Sequence, residues 1–528
     1  MHQKAFSRIL GIAAVAVLIV ALISGCKPGA LVDSVGEATT EPLVGEYAAG
    51  TLVFCTDGVA RRIGEGNEIV ETYTGWMTKE YAFFSNDAPW YSDRDKIVCV
   101  IIQEGVSPKY TNSWFYGFEK LTNVTIPDSV TSIGNSTFYK CTSLTAIQLP
   151  DSITSIGEKA FERCSKLTSI KLPESVTSID SYAFSYCQSL TEIQLPDSVT
   201  SIGHRAFEGC ERLTEIHLPD SITSIGDYAF CGCRKLTGII IPGGVTHIGK
   251  FMFRECSNLS SVILPDGLTS IGDSAFEFCD ALTSITIPES VTSIGDYAFS
   301  DSGLQSITIP NGVTTISDSC FRDCHRLASV NIPESVTSIG FYAFSGCHSL
   351  TEVSLPKKIT KIDKSVFSFC SSLTSITIPD SVTSIGDTAF YGCSSLTSIT
   401  IPDSVRDIGT GAFCACQSLS NIVLPKGVDR VVDNLFWSCF SLTSITIPDG
   451  ITSIGEAAFN GCSSLTRITI PDSVTSLGFR AFFQCNNLTE INFKGTVAQW
   501  NAIVKETDWN INVPAKVVQC SDGTANLT

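Results

Sequence analysis

Proline recurs through most of this chain at a fixed spacing, and that spacing limits what the chain can fold into. Successive repeat prolines are 23 residues apart at every step except one step of 22. Sixteen copies of one unit run from Leu121 to Asn487, with the consensus Leu-Thr-Ser-Ile-Thr-Ile-Pro-Asp-Ser-Val-Thr-Ser-Ile-Gly-Asp-x-Ala-Phe-x-x-Cys-x-Ser. A fixed period of this length is the signature of a repeat architecture. The prolines are Pro127, Pro150, Pro173, Pro196, Pro219, Pro242, Pro265, Pro288, Pro310, Pro333, Pro356, Pro379, Pro402, Pro425, Pro448 and Pro471.

The pattern within one unit predicts a coil of two short extended segments joined by turns. Ile-Thr-Ile alternates with period two, which indicates a strand, and the proline that follows ends its hydrogen-bond ladder. Asp-Ser provides turn chemistry, and the glycine is expected to allow the next corner. One unit cannot bury its apolar residues alone, so neighbouring units must stack. The sequence therefore predicts a β-rich solenoid of 23-residue period with about 17 coils.

Charge and hydropathy exclude two broad classes of protein. The chain has 528 residues and a net charge of −18, which argues against a nucleic-acid-binding protein because such a protein needs a basic surface. Only one long apolar run is present, at Ile9–Ile23, so the chain is not a polytopic membrane protein.

That apolar run has the features of an export signal. Lys4 and Arg8 precede it, and it ends in Ile23-Ser24-Gly25-Cys26, which resembles a bacterial lipobox. The resemblance implies a lipoprotein signal peptide over 1–25, cleavage before Cys26 and lipidation of Cys26. The small and polar residues that follow predict a flexible tether over 26–50. An uncleaved anchor or a plain signal peptide is the alternative. We expect an extracytoplasmic protein that is anchored in the membrane at the bacterial cell surface.

The repeat unit resembles the BspA-like leucine-rich repeats of bacterial surface proteins. The Ile-Pro, Ile-Gly, Ala-Phe and Cys positions carry the resemblance, which implies an N-terminal lead-in region over 51–96, a leucine-rich-repeat solenoid over 97–490 and a C-terminal cap over 491–528. Thr74-Gly75-Trp76-Met77 is similar to the family's lead-in, and Gln499-Trp500-Asn501 is similar to its cap. The resemblance implies a surface-exposed protein, often an adhesin.

Most of the 22 cysteines occupy one position of the repeat. Each would have an equivalent cysteine in the coil before and after it, so no pairing is unique, and in-register strands orient their Cβ atoms poorly for a disulfide. We therefore predict a ladder of buried free thiols that pack as small apolar residues. The ladder consists of Cys141, Cys164, Cys187, Cys210, Cys233, Cys256, Cys279, Cys324, Cys347, Cys370, Cys393, Cys416, Cys439, Cys462 and Cys485, with Ser302 at the missing position.

No arrangement of residues typical of catalysis is present. The sequence lacks a Walker motif, a His-Glu-x-x-His motif and a Gly-x-Ser-x-Gly motif. His325 and His348 share a repeat position on successive coils, which could indicate a metal pair. The same position faces solvent in other coils, so we interpret both as exposed loop histidines; it holds Thr142, Glu211, Arg234, Asp280 and Phe440 there. We predict a protein without catalytic residues, cofactor or metal site.

A binding surface is best sought where the repeat varies. Two outward positions of the strand depart from Ser and Thr on the coils between residues 170 and 265. Two exposed isoleucines with a polar rim would form a small apolar patch that could bind a partner. The alternative is ordinary sequence variation between repeat units without a function. The candidate ligand-binding residues are Glu192, Gln194, Glu215, His217, Ile240 and Ile263.

These observations predict a lipid-anchored surface protein that mediates protein–protein or cell–matrix adhesion. The expected partners are host extracellular-matrix proteins, other surface proteins and other bacterial cells, because a solenoid offers a long, shallow surface. The alternative is a structural envelope spacer without a dedicated ligand, which the uniform Ser and Thr surface of the later coils would suit.

Overall fold

The computed structural model confirms the predicted solenoid. It describes residues 48–55, 59–64, 69–74, 76 and 88–527. These residues form a β-solenoid of about 18 turns with a period of about 23 residues, one turn more than predicted. They group into two compact units that meet in sequence at Gly244 and Val245. The signal peptide and the tether predicted for 1–50 lie almost entirely outside the described residues.

Each coil of the first unit contributes a three-residue strand, and several coils add a second strand of two residues after the proline turn. The pairing is parallel and in register with the 23-residue offset, so that Ile170 lies opposite Ile193. The first strands are Asn123–Thr125, Ala146–Gln148, Ser169–Lys171, Glu192–Gln194, Glu215–His217 and Gly238–Ile240. The second strands are Ser178–Ile179, Ser201–Ile202 and Ser224–Ile225.

The second unit repeats the same arrangement. Its first strands are Ser261–Ile263, Ser306–Thr308, Ser329–Asn331, Ser375–Thr377, Ser398–Thr400, Asn421–Val423, Ser444–Thr446, Arg467–Ile470 and Glu490–Phe493. Its second strands are His247–Ile248, Ser270–Ile271, Ser293–Ile294, Thr315–Ile316, Ser338–Ile339, Lys361–Ile362, Ser384–Ile385, Asp407–Ile408, Arg430–Val431, Ser453–Ile454, Ser476–Leu477 and Val504–Lys505.

The ends of the chain differ from the repeat. At the N-terminal end, strands Thr51–Phe54, Val59–Ile63, Ile69–Thr74 and Cys99–Ile102 and the 3-10 helix Tyr91–Asp93 surround a buried aromatic cluster that includes Phe54, Trp90 and Trp114. At the C-terminal end, helix Val497–Ala502 begins at a capping box of Thr496 and Gln499, and strands Val517–Cys520 and Gly523–Asn526 close the sheet. Strand Glu490–Phe493 crosses the predicted 490/491 boundary, and the domain limits stay predictions.

The phenylalanine of the Ala-Phe pair forms the centre of the core. In the first unit, rings from Phe138 to Phe230 stack with centroids 5.2–5.6 Å apart. In the second unit, the stack runs from Phe253 to Phe482 with spacings of 5.2–6.0 Å. The neighbouring Leu, Ile, Val and Ala positions are buried on the same side. Stacking of identical coils therefore buries one continuous apolar column in each unit.

The cysteine ladder is confirmed as a set of buried free thiols. All fifteen ladder cysteines are fully buried and unbridged. Cys164 Sγ donates a hydrogen bond to the carbonyl oxygen of Phe138 in the preceding coil at 3.1 Å, and the same bond recurs along the ladder at 3.0–3.3 Å. Burial raises the pKa of Cys164 and Cys187 well above its ordinary value. These thiols therefore stay protonated and act as packing residues and weak donors.

The turn beside the core contains residues in the left-handed region at positions where glycine is not the rule. Tyr182 and Arg205 have φ values of 61° and 56°, and Tyr186 has 57°. Hydrogen bonds to the next coil hold this conformation, since Tyr182 N donates to His204 O at 2.8 Å. The turn therefore presents large side chains outward, on what we call the turn face. It consists of the eight-residue segments that begin two residues after the repeat glycine and include the Ala-Phe pair and the ladder cysteine.

Among the described residues, no helix has the length and apolar character needed to cross a membrane.

Candidate binding surface

Most consensus polar residues are engaged in hydrogen bonds between coils, so they are poor candidates for ligand binding. Thr168 Oγ1 donates to Thr145 O at 3.0 Å, and this threonine ladder continues on successive coils. Ser152 Oγ donates to Val130 O at 2.6 Å. Asp387 Oδ1 accepts from the backbone N–H of Thr410 at 2.8 Å. Inter-coil bonding therefore accounts for the Thr, Ser and Asp at these three repeat positions without any ligand.

The predicted residues of the first unit lie on the exposed side of its first strands, which we call the strand face. Glu192, Gln194, Glu215 and His217 are all exposed, while the isoleucines between them are buried. Glu215 lies directly opposite Glu192, and His217 lies opposite Gln194. The structure thus brings these four residues together on two adjacent strands.

The pair of glutamates gives the strand face its chemical character. Adjacent strands are about 4.8 Å apart, and like charges directly opposite each other destabilise a sheet. Within the described part of the chain, neither Glu192 nor Glu215 has a hydrogen bond or an ion pair through its side chain. The two carboxylates remain hydrated and create a local negative potential that suits a cationic group.

The two predicted isoleucines are exposed but belong to different units. Ile240 is 60% exposed, at the strand position that corresponds to His217 on the next coil of the first unit. Ile263 is 55% exposed in the second unit. An exposed β-branched side chain on the strand face gains no stability from the core, so each isoleucine leaves apolar area in contact with solvent.

The two histidines lie side by side and do not converge on a common point. The imidazole rings of His325 and His348 stack with centroids 4.8 Å apart and an angle of 8° between their planes. Each Nδ1 lies 3.0 or 2.9 Å from a backbone carbonyl oxygen, which can only accept, so Nδ1 carries the proton. Parallel rings direct their Nε2 lone pairs side by side rather than toward one ion. No cluster of three metal-ligating side chains occurs among the residues that the structure describes.

The turn face holds residues that the analysis of the sequence missed. In the first unit, the Arg205 guanidinium lies 4.1 Å from the centroid of the Tyr228 ring and bonds to His204 Nε2 at 2.9 Å and to Glu208 at 3.2 Å. Burial, with a smaller contribution from Arg205, lowers the pKa of His204. On this part of the turn face, the Arg205 guanidinium is therefore paired with an aromatic ring, an imidazole and a carboxylate of neighbouring residues.

The second unit also has arginines beside aromatic rings on its turn face, as in Arg254 and Phe278. Among the described residues, three of its exposed aromatic side chains have no such cationic partner. Trp437 is 46% exposed, Phe440 44% and Phe369 46%. The sequence does contain a sign of these exposed rings, because aromatic residues occupy variable positions close to the ladder cysteine in these coils.

Comparisons with known proteins assign the family. The family described as BspA type Leucine rich repeat region matches residues 109–210, 177–304, 292–395 and 383–504. A leucine-rich repeat protein from Bacteroides ovatus is 33% identical in its crystal structure, with a TM-score of 0.55 over 69% of this chain and 87% of that one. A leucine rich cell surface protein from Faecalibacterium prausnitzii is 28% identical over 72% and 86%, with a TM-score of 0.33. No curated protein matches the chain. The chain therefore belongs to the BspA-type leucine-rich repeat family.

Proposed function

We propose that this protein is a lipid-anchored, non-catalytic protein of the bacterial cell surface that binds other proteins through the strand face of its first unit. The observation that carries the proposal is the pair of opposed carboxylates, Glu192 and Glu215, next to Gln194 and His217. Fold stability does not account for two like charges in register. A partner that supplies Lys or Arg removes the repulsion, which gives binding energy and speeds association.

The apolar component of the interface is Ile240, which lies in the same column as Gln194 and His217. Interfaces combine a small apolar centre with a polar rim. The strand face therefore fits a partner segment that carries both basic and aliphatic side chains. Host extracellular-matrix proteins, other surface proteins and surface proteins of other bacteria are the proposed sources of such a segment.

Charge reversal at the two glutamates tests the proposal. The full chain is displayed on cells and presented with immobilised fibronectin, fibrinogen, collagen and whole bacterial cells. We expect saturable binding to at least one, weakened at least about tenfold by the double substitution Glu192→Lys with Glu215→Lys, because the cationic partner then meets repulsion. Ile240→Asp and Ile263→Asp each replace an exposed apolar side chain by a charged one. Ile240 belongs to the strand face of the first unit, so Ile240→Asp is expected to weaken the binding of the same partner.

The matched control is Asp128→Lys with Asp151→Lys. It changes the net charge equally on exposed residues of the same unit, in the turns after proline. Binding that both double variants weaken to the same extent would reduce the effect to overall charge and would contradict a local site. Binding of the wild-type protein to none of the presented proteins or cells would favour the structural spacer.

The proposed lipid anchor has a separate test. Cys26 lies outside the described residues, and its role rests on the sequence Ile23-Ser24-Gly25-Cys26. Because several acyl chains together hold a protein stably at a membrane, we expect wild-type protein to partition with membranes and to incorporate a labelled fatty acid. Cys26→Ala should abolish the label and release the protein from the membrane fraction. A labelled Cys26→Ala variant would show that Cys26 is not the acylated residue.

A further inference from the structure

One part of the turn face in the second unit carries no charged residue over six consecutive coils. It comprises residues 342–349, 365–372, 388–395, 411–418, 434–441 and 457–464, which contain no Asp, Glu, Lys or Arg. We call it the neutral patch. On a chain with a net charge of −18, six such segments in succession are unusual, because the corresponding segments of the first unit hold residues such as Arg205 and Glu208. The exposed residues that directly precede four of the segments are charged and border the neutral patch: Lys364, Asp387, Asp433 and Glu456. The core does not require this composition, since the variable positions of the neutral patch point away from it.

Aromatic rings project from the neutral patch. Trp437, Phe440 and Phe369 are each exposed by more than two fifths, and Tyr391 packs its ring edge-on against Phe369 with centroids 4.8 Å apart. Of the six tryptophans in the chain, the other five are at most 7% exposed. Trp437 therefore stands out as a tryptophan that the fold leaves unburied.

The residues around Trp437 are small or carry neutral polar groups. In its own repeat position, the preceding coil has Cys414 and the following coil has Asn460. Gln417 and Asn434 add amide groups, and these side chains both donate and accept hydrogen bonds. Between the two aromatic residues Tyr391 and Trp437, the same repeat position holds the small side chain of Cys414, which is only 4% exposed.

The spacing of the rings follows from the stacking of the coils. The core rings Phe390 and Phe413 lie 5.5 Å apart, and Phe413 and Phe436 lie 6.0 Å apart. Tyr391 and Trp437 share a repeat position two coils apart, and the core rings of their coils imply a separation of about 11.5 Å along the stack. This distance is close to the two-sugar repeat of an extended β-1,4-linked polysaccharide, in which alternate sugars present the same face.

We propose that the neutral patch binds a neutral, extended β-linked polysaccharide, with Trp437 and Tyr391 as stacking platforms. The apolar C–H face of a sugar packs on an aromatic ring, and sugar hydroxyls bond to amides and hydroxyls such as those of Gln417, Asn434 and Asn460. Because such a polysaccharide is uncharged, its binding requires no charged side chain within the neutral patch. This site is distinct from the strand face of the first unit, and its failure would leave the proposed protein-binding function intact.

Retention on insoluble cellulose and chitin tests the proposal. The full chain is mixed with each polysaccharide at moderate salt, and we expect retention that Trp437→Ala lowers at least tenfold and Trp437→Tyr largely restores. The matched control is Phe278→Ala, which removes a 36%-exposed aromatic residue of the same unit whose ring lies 5.6 Å from the Arg254 guanidinium. We expect this variant to bind as the wild-type protein does. Equal retention of Trp437→Ala and wild type, or no retention of the wild type on either polysaccharide, would overturn the proposal.

Tryptophan fluorescence supplies a second readout that also reports on folding. Because the other five tryptophans are buried, acrylamide quenching of the native protein comes mainly from Trp437. Cellohexaose is expected to reduce this quenching in the wild-type protein and in Phe278→Ala. The Trp437→Ala variant is expected to show weak quenching that the sugar does not change, which also confirms that it is folded. Protection of Trp437 that depends on protein concentration and not on the sugar would instead assign the neutral patch to a contact between two copies of the chain.

Discussion

Replacing Phe367 by alanine is expected to lower the free energy of unfolding of the second unit by about 3–5 kcal/mol. Phe367 is fully buried, and its ring stacks between those of Phe344 and Phe390, with centroids 5.7 Å away on each side. Truncation removes the transfer free energy of the ring and leaves a cavity that stacked coils cannot easily close, because the strands above and below fix their spacing. The loss also weakens two coil–coil interfaces, on which the stability of a repeat protein depends.

Urea unfolding followed by circular dichroism measures this effect, and Phe369→Ala is its matched control. Phe369 lies two residues away in the same coil, but 46% of its surface is exposed. Its removal is expected to change the free energy of unfolding by less than about 1 kcal/mol. Comparable destabilisation by the two variants would show that the stack of rings is not the main support of the coil.

The inward half of the repeat could be predicted from the sequence because the period alone determines it. Once the coils stack at 23 residues, every residue in one position meets its own equivalent, so Ala343 and Phe344 are buried together and Cys347 lies in a column of cysteines. The hydrogen bond from each thiol to a phenylalanine carbonyl was not predictable. It depends on the path of the backbone between the two residues, which the period does not give.

The reason for the repeat glycine was predicted incorrectly. The sequence suggested that glycine allows a corner, yet Gly203 is absent from the residues with positive φ. A Cβ atom on Gly203 would lie 2.5 Å from the backbone nitrogen of Ser181, so close approach of neighbouring coils is what selects glycine. Asp180 occupies this position in one coil, and the hydrogen bond from its backbone nitrogen to the carbonyl oxygen of Ile156 is 3.2 Å long. The equivalent hydrogen bond from Gly203 to Ile179 is 2.8 Å long.

The exposed positions of the repeat were only partly predictable, because the orientation of some of them also depends on the path of the backbone. The strand face followed from the period-two alternation, which places Glu192 and Gln194 outward with Ile193 between them. The turn face has no such alternation, and its orientation depends on left-handed residues such as Tyr182 and Phe369, whose side chains give no sign of that conformation. The exposure of Trp437 was therefore not predictable from its position in the repeat.

The second large effect is expected at the one irregular step of the repeat, where Gly303→Ala should lower the free energy of unfolding by about 3 kcal/mol. Other coils place two residues between the ladder cysteine and the next leucine, as in Cys279-Asp280-Ala281-Leu282, but here Ser302-Gly303-Leu304 has one. The shortened path draws Gly303 into the buried part of the coil. A Cβ atom there would collide with the backbone carbonyl oxygen of Asp280, which cannot rotate away as a side chain would.

Urea unfolding of Gly303→Ala and Gly243→Ala separates this steric effect from the general effect of adding a methyl group. A Cβ atom on Gly243 would meet no atom within 4 Å, and its φ is not positive, so this substitution is expected to be neutral or slightly stabilising. A second variant, with one serine inserted after Gly303 to restore the 23-residue step, should tolerate Gly303→Ala, because the longer path moves residue 303 back toward solvent. Equal destabilisation with and without the insertion would mean that the glycine, and not the missing residue, is what the coil requires.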